Sequence, residues 1–346
     1  MRKTFLTIHR WLGIVFGILI SLVCLTGAVL VFQTEILQML NHDLYSLEVP
    51  ADGKHLSDTE LAARVLEQLD ERQMITFIQV NDEPGVAAQA NIAGMGQKNL
   101  FVNPYTGDVL GYPKYTEFFD TVKSLHRWLL NKPENHQQGT LSPGRVIVGI
   151  TAIAMSLILL TGIWLWWPKS RKMLKNRLKV CTSKGFRRFV YDSHVSLGIY
   201  AVVFLLLMSL TGPTWSFPWY KTAAQTVLLQ GEEERVDSHQ GGKHGDPGQH
   251  PMINHEGKDD KQQPQAQRPE DVGVMHLSGT QQQHSGGFHM LVSSLHMGRW
   301  AGWLSKIIYL LAALIGAVLP WSGYYMWWKR RNSESRVKAR LNSAES

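Results

Sequence analysis

Four histidines occupy matching places in a duplicated pattern along this chain: His9, His126, His194 and His296. The first and the third each precede a Thr-Gly pair by 17 residues, and the second and the fourth each follow a leucine and precede an arginine and a tryptophan. Two imidazoles that face each other across a helical bundle can fill both axial positions of a haem iron. The pattern therefore predicts two such sites, His9 with His194 and His126 with His296, each pair binding haem iron.

Iron held by protein on both sides has no vacancy for dioxygen or a substrate, which favours electron transfer over ligand chemistry. The sequence has no Cys-x-x-Cys-His motif for covalent attachment, so we predict two noncovalent haems of the b type. It also lacks a phosphate-binding loop and a hydrolase nucleophile pattern. No catalytic side chain is predicted beyond these iron ligands.

Arginines follow three of the histidines within three residues: Arg10, Arg127 and Arg299. Because guanidinium groups pair well with carboxylates, these three are the predicted partners of haem propionates. Simpler explanations remain open, namely the charge bias of membrane proteins for Arg10 and snorkelling for the other two. Glycines one or two turns after His9 and His194 would make room for a flat macrocycle, although the same spacing also permits close helix packing.

Four strongly apolar windows contain no Asp, Glu, Lys or Arg: Trp11–Phe32, Val146–Trp167, Val195–Phe217 and Ile307–Trp328. Each has 22 or 23 residues, enough to cross a hydrocarbon core of roughly 30 Å at ~1.5 Å per residue. This excludes a soluble protein and predicts a mainly α membrane protein with a four-helix bundle. Tryptophans end the second and fourth windows, as is typical of an aromatic belt at the membrane surface.

The positive charge is concentrated in three segments. Of the 35 Lys and Arg residues, 18 lie in residues 1–10, 168–193 and 329–346, which hold only three acidic residues. This asymmetry places both termini and the 168–193 loop in the cytoplasm, and 33–145 and 218–306 outside. The basic surface is expected to meet anionic membrane lipid and not nucleic acid. No small-x-small cleavage site follows the first window, which we interpret as an uncleaved anchor.

The windows form two hairpins that begin and end inside, so the two copies are related by an axis along the membrane normal, a parallel repeat. The predicted boundaries are 1–40 for the first span and its tail, 41–124 for an outer domain, 125–167 for an interfacial segment and the second span, 168–193 for the basic loop, 194–217 for the third span, 218–287 for a second outer segment, 288–328 for an interfacial segment and the fourth span, and 329–346 for the basic tail.

The two outer segments differ in composition. The first predicts a small α+β domain: a helix after Ser57, in which Ser57 and Glu60 form a capping box, then strands at 75–80, 86–92 and 99–102 and a turn at 103–108. The second is rich in Gly, Gln and His between residues 231 and 287. Since it contains few apolar side chains to offset chain entropy, we expect it to be largely disordered.

Several motifs together resemble one known family. They are His9-Arg10-Trp11-Leu12-Gly13, Val102-Asn103-Pro104-Tyr105-Thr106-Gly107-Asp108, Leu295-His296-Met297-Gly298-Arg299 and Ser322-Gly323-Tyr324-Tyr325-Met326-Trp327-Trp328-Lys329-Arg330. They resemble the PepSY-associated transmembrane family of bacterial iron-regulated membrane proteins, whose members include ferric-siderophore reductases with two b-type haems. The resemblance implies a bacterial inner-membrane location, a periplasmic PepSY module at about 41–120, and ferric iron or a ferric siderophore as electron acceptor. The chain lacks a flavin module, so its donor would be a separate cytoplasmic flavoprotein or reduced flavin.

Alternatives stay open at this point. His289, seven residues before His296, is an alternative outer ligand, and His136 is a weaker one. The outer domain could instead bind or inhibit a peptidase, with the helices as an anchor only. A third hypothesis is metal binding by the irregularly spaced histidines of the second outer segment: His239, His244, His250, His255, His276 and His284.

Overall fold

The computed structural model describes residues 1–51, 53–70, 73–81, 83–93, 99–132, 141–236, 268, 272–277 and 287–345. The helices are α1 Arg2–Leu30, α2 Gln33–Leu40, α3 His42–Tyr45, α4 Asp58–Glu67, α5 Thr116–Trp128, α6 Pro143–Trp166, α7 Arg171–Arg177, α8 Phe186–Thr211, α9 Pro213–Ser216, α10 Pro218–Val236, α11 Gly287–Met297 and α12 Gly302–Glu345. The strands are β1 Ile75–Asn81, β2 Ala88–Ile92, β3 Asn99–Val102, β4 Val109–Gly111 and β5 Gly273–Leu277.

Four helical stretches are long and apolar enough to cross a membrane: Arg2–Leu30, Pro143–Trp166, Phe186–Ser216 and Gly302–Ser333. The first three end one or two residues before the predicted windows do, and the fourth contains its window. This agreement confirms a mainly helical, multi-pass membrane protein. The chain divides into two compact units. The helical unit comprises Met1–Gln33, Glu117–Leu229 and Phe288–Ser346, and the sheet unit comprises Thr34–Thr116 and Gln230–Gly287.

In the helical unit, α1 and α8 each pack against both α6 and α12. Small side chains allow these helices to approach closely, as is usual in membrane bundles. Hydrogen bonds cross between them, from Ser21 Oγ to the Ala317 carbonyl at 2.7 Å and between the hydroxyls of Ser156 and Ser209 at 2.9 Å. The centre of the bundle is apolar, with Ala201, Leu205 and Ala312 buried and several partly buried side chains around them: Met155, Leu159, Phe204, Met208, Ile315 and Leu319.

The sheet unit is a five-stranded sheet in the order β4-β3-β2-β1-β5. Neighbouring strands are antiparallel except for β1 and β5, which are parallel. Alternate residues of β2 are buried, as expected for a sheet with one face on a core. That core joins α4 to the sheet and consists of Leu61, Ala62, Val65, Ile75, Ile78, Val80, Ala88, Ala90, Ile92, Leu100, Val102 and Val272.

The sequence predicted α4, β1, β2 and β3, with one correction. Ser57 is the N-cap residue of α4, but its side chain makes no capping hydrogen bond. The predicted capping box is absent because Glu60 instead accepts a hydrogen bond from Arg64 at 2.8 Å. The turn after β3 is confirmed, with the Asn103 side chain accepting the Tyr105 N–H at 2.9 Å.

The outer segment 218–287, which is expected to be largely disordered, lies mostly outside the described residues. In its described part, α10 extends to Val236, and residues 273–277 form strand β5 against β1, which the sequence did not predict. The physical reason is that Val272 and Val274 supply apolar side chains to the core of the sheet unit. The predicted metal-binding histidines lie outside the described residues, except for the backbone of His276.

Candidate functional site

The structure brings the four histidines together in two pairs. His9 of α1 and His194 of α8 have ring centroids 6.3 Å apart with an angle of 86° between the ring planes. His126 of α5 and His296 of α11 also have centroids 6.3 Å apart, with an angle of 62°. The two sites have the same spacing although they are built from different helices.

In the first pair, both imidazoles are held through Nδ1. His9 Nδ1 lies 3.0 Å from the carbonyl oxygen of Ile158 and 3.2 Å from Oγ1 of Thr161, both on α6. His194 Nδ1 lies 2.7 Å from Oγ of Ser322 on α12. Each ring is therefore fixed by the helix that it faces.

The second pair is held in the same way. His126 Nδ1 lies 3.0 Å from both the Val23 carbonyl oxygen and Thr26 Oγ1 on α1. His296 Nδ1 lies 3.1 Å from the Met208 carbonyl oxygen and 2.9 Å from Thr211 Oγ1 on α8. A hydroxyl group of a Thr or Ser thus meets every one of the four rings.

These contacts determine which nitrogen carries the proton. Each hydroxyl donates its own hydrogen to a carbonyl of its helix, as Thr26 does to Leu22 at 2.8 Å and Ser322 does to Leu319 at 2.6 Å. The hydroxyl oxygen is left to accept, so Nδ1 must donate, and the ring is the Nδ1–H tautomer. Nε2 then keeps its lone pair, which is the state in which imidazole binds a metal.

Glycines next to these hydroxyl residues leave room for the rings. A Cβ atom at Gly27 would lie 3.1 Å from His126 Cε1, and one at Gly162 would lie 3.3 Å from His9 Cε1. The corresponding distances are 3.7 Å for Gly212 to His296 and 4.0 Å for Gly323 to His194. The Thr-Gly or Ser-Gly pair therefore forms a cradle, in which the hydroxyl orients the ring and the glycine accommodates it.

Each cradle is built within one half of the chain. His9 meets Thr161 and His126 meets Thr26, all before residue 168, while His194 meets Ser322 and His296 meets Thr211, all after residue 185. Each pair of rings, by contrast, takes one imidazole from each half.

The spacing of the rings fits a metal ion between them. A metal–imidazole bond is ~2.0–2.1 Å, and each nitrogen is roughly 1.1 Å from its ring centre, so two bonds in line span about 6.2–6.4 Å. Both pairs measure 6.3 Å. Among the described residues, no group of three or more His, Cys, Asp or Glu side chains could hold a metal ion.

A cavity of about 940 Å³ opens beside His9 and His194. This volume lies at the upper end of the range for cofactor pockets, ~300–1,000 Å³. Its wall is mostly apolar and includes Gly13, Gly17 and Gly198. Among the described residues that line it, all charged side chains are basic: Arg2, Arg10, Arg177, Lys184, Arg187, Arg188, Lys329 and Arg330. An apolar slot with a cationic rim suits a flat molecule that carries carboxylates at one edge.

The site at His126 and His296 is also cationic at its edge. Arg127 and Arg145 are half-buried, and neither forms an ion pair with a carboxylate in the described part of the chain. Burial, and then the charge of Arg145, lowers the pKa of Arg127. Burial lowers the pKa of His126 to about 4 and, with a further contribution from His126, that of His296 to about 3. Both imidazoles are therefore neutral at physiological pH and able to bind a metal.

The remaining predicted site residues are placed differently. Arg10 lines the cavity beside His9, whereas Arg299 is exposed. His289 is exposed and its ring contacts Trp215 at a centroid distance of 6.3 Å, not His126. Trp215 in turn contacts the ring of His296 at 5.0 Å. The structure thus favours His296 over His289 as the partner of His126, and His136 lies outside the described residues.

The two pairs are far apart along the bundle. Thr26, which holds His126, is 17 residues after His9 on the same helix. At ~1.5 Å per residue this is about 25 Å, against a hydrocarbon core of roughly 30 Å. One pair therefore lies toward each end of the membrane-crossing region, with the apolar centre of the bundle between them.

The roles of the Thr-Gly and Ser-Gly pairs, of Arg145 and of Trp215 were not predicted from the sequence. The signal for the first was present, since each span contains one such pair: Thr26-Gly27, Thr161-Gly162, Thr211-Gly212 and Ser322-Gly323. In the sequence these pairs indicate only that the pattern is duplicated. Nothing in the sequence separates Arg145 or Trp215 from other residues of the membrane surface.

Comparison with known proteins agrees with this architecture. No match was found among curated proteins. The family described as the PepSY-associated TM region matches residues 6–330, a stretch that includes all four predicted windows and all four histidines. Because the match covers nearly the whole sequence, this chain belongs to the PepSY-associated TM region family.

Proposed function

We propose that this chain is a di-haem electron-transfer protein of the bacterial inner membrane. His9 and His194 bind the cytoplasmic-side haem, and His126 and His296 bind the periplasmic-side haem, both noncovalently and as haem b. The observation that carries the proposal is that both pairs share a centroid separation of 6.3 Å, and that a hydroxyl group fixes every Nδ1 so that both Nε2 atoms are available.

A haem bound by each histidine pair would supply one-electron reduction and oxidation. The protein's own residues do three things. The hydroxyl and carbonyl acceptors at Nδ1 orient the imidazoles and raise their basicity. The apolar centre around Leu205 and Ala312 keeps water and ions from crossing between the sites. The arginines at each edge, Arg10 on one side and Arg127 on the other, neutralise carboxylates, and Arg299 adds positive charge near the second site.

The charge distribution supports the assignment of one site to each membrane side. The basic segments favour a cytoplasmic location of both termini and of the 168–193 loop, so with a cytoplasmic donor electrons enter beside His9 and leave beside His296. The two hairpins are a parallel repeat, and the sheet unit is a periplasmic PepSY module. The donor is a cytoplasmic flavoprotein or reduced flavin. The acceptor is ferric iron or a ferric siderophore, so the chain acts as a haem-dependent ferric reductase.

Absorption spectroscopy of the purified full-length protein tests this proposal. We expect two haems per chain and, on reduction with dithionite, the sharp bands of low-spin bis-imidazole haem. His194→Ala should leave one haem per chain, and His289→Ala, which alters an exposed histidine of the same protein, should leave two. A folded wild-type protein from haem-replete cells that contains no haem would contradict the proposal.

The direction of transfer needs a separate measurement. In sealed proteoliposomes with a reductant enclosed on the cytoplasmic face, external ferric chelate should be reduced. His126→Ala should abolish this reduction while the haem held by His9 and His194 still becomes reduced. Equal reduction of external ferric chelate by wild type and by His126→Ala would show that the second histidine pair does not carry the electron.

A further inference from the structure

Two buried nitrogen atoms on residues that line the cavity beside His9 have no hydrogen-bond partner among the residues that the structure describes. They are Nε of Arg10 and Nε1 of Trp166, and both are shielded from water. Buried N–H groups in folded proteins are nearly always paired, because an unpaired one loses its hydrogen bond to water and gains nothing in return. Two unpaired donors in the wall of one cavity indicate an acceptor that arrives with the bound molecule.

Trp166 is held firmly at this wall. It is the last residue of α6, where carbonyl groups have no partner within the helix. Arg177 Nη1 donates to the carbonyl oxygen of Leu165 at 3.2 Å and also to that of Trp166. The guanidinium therefore caps the helix and fixes the backbone from which the Trp166 ring extends into the cavity lining.

The neighbouring tryptophans do not share this environment. Trp164 and Trp167 are 57% and 71% exposed, as expected for an aromatic belt at the membrane surface. Trp166 belongs to the same Trp-rich helix end, but its polar atom is buried and the residue lines a cavity whose described charged residues are all basic. An acceptor that fits this environment is an anion, and a carboxylate accepts hydrogen bonds from both an indole N–H and a guanidinium.

We infer that Trp166 is a cofactor-binding residue, whose indole N–H donates, together with Arg10, to a carboxylate of the molecule between His9 and His194. This inference rests on the proposed function, because haem is the carboxylate-bearing molecule that the histidine pair would bind. It assigns the orientation of that haem, with its propionates toward the Arg10 and Trp166 edge of the cavity. It also separates Trp166 from the aromatic belt, to which the sequence alone had assigned it.

The test compares Trp166→Phe with Trp167→Phe in the full-length protein. Both variants also carry His126→Ala, so that only the haem beside His9 remains. Each substitution removes an indole N–H and keeps an aromatic ring, but only Trp166 contributes to the cavity. The rate of haem loss to excess apomyoglobin is measured, together with the resonance Raman modes of the propionates. A hydrogen bond to a charged group corresponds to roughly a tenfold to hundredfold change in dissociation.

Each outcome decides the inference. Haem loss at least about tenfold faster in Trp166→Phe, with Trp167→Phe at the parent rate and propionate modes shifted only in the former, supports it. Equal rates and unchanged modes in both variants overturn it while the proposed function stands. If the parent protein binds no haem at all, the proposed function fails and this inference fails with it. Should Trp166→Phe not accumulate, the parent protein is loaded with haem dimethyl ester: unchanged retention relative to haem overturns the inference, and faster loss supports it.

Discussion

Substitution of Gly27 by Ala gives the sharpest test of the cradles. A Cβ atom at this position would lie 3.1 Å from Cε1 of His126, whereas one at Gly323 would lie 4.0 Å from Cε1 of His194. Carbon atoms in ordinary contact are ~3.5–4.0 Å apart. Gly27→Ala therefore forces the His126 ring to move by roughly 0.5 Å, and Gly323→Ala needs no movement.

A shift of this size is enough to disturb metal binding. Functional groups must be held within about 0.5 Å of their productive geometry, and His126 is anchored at Nδ1 by both Val23 and Thr26, so the ring cannot simply turn aside. We expect Gly27→Ala to lower the affinity for the haem of this pair at least about tenfold. The purified protein should then contain close to one haem per chain, while Gly323→Ala retains two.

The comparison of the two glycines controls for helix effects. Both lie inside helices, so Ala raises intrinsic helix propensity by a similar amount, ~1 kcal/mol, in each variant. The assay is the pyridine haemochrome content per chain, with the midpoint potentials of the remaining haems from redox titration. Two haems with unchanged potentials in Gly27→Ala, or an equal loss in Gly323→Ala, would refute the clearance argument.

Four further predictions follow from the geometry. His126→Ala should remove one haem and leave the other at its original midpoint potential, as redox titration will show; loss of both would mean that the sites are not independent. Thr26→Val removes one of two acceptors at Nδ1 of His126, which makes the imidazole less basic and should raise the potential of that haem by up to ~40 mV; an unchanged or lower potential would contradict the assigned tautomer. Since burial holds the native pKa of His126 at about 4 and of His296 at about 3, below the ordinary 6.5, the unfolded chain binds more protons below pH 6.5. The haem-free protein in detergent should therefore be most stable above that pH and lose thermal stability as the pH falls toward 4, with a flatter profile when both residues are Gln. Val272→Asp puts a charge at a position only 7% exposed and should make the sheet unit sensitive to limited proteolysis while haem content stays unchanged; resistance equal to wild type would show that β5 does not support the sheet.

The sequence was sufficient for the four spans and for the choice of histidines to pair. A membrane span needs only length and apolar composition, and the duplication put His9 opposite His194 and His126 opposite His296. The sequence could not predict the interatomic distances within the site. Whether a glycine leaves 3.1 Å or 4.0 Å to a ring depends on helix rotation and depth of packing, which the periodicity of residues does not define.

Strand β5 could not be predicted from the sequence for another reason. Its residues, Gly273–Leu277, are a short stretch among polar residues, and the partner strand β1 lies almost two hundred positions earlier. Pairings of such long range have no local signal. Trp166 illustrates the same limit, because its neighbours Trp164 and Trp167 have the same residue type and a different environment.

The division of the cradles between the two halves of the chain affects how the protein is assembled. One hairpin alone positions two imidazoles, one toward each membrane surface, and would complete neither haem site of the proposed function. A half-length ancestor would then have bound haem only as a homodimer, with both sites at the interface between the two copies. In the present chain both proposed sites lie between the two halves, so haem binding would connect the halves at two places. Its binding free energy adds directly to the stability of their association, so the halves expressed as separate polypeptides should come together when haem is supplied.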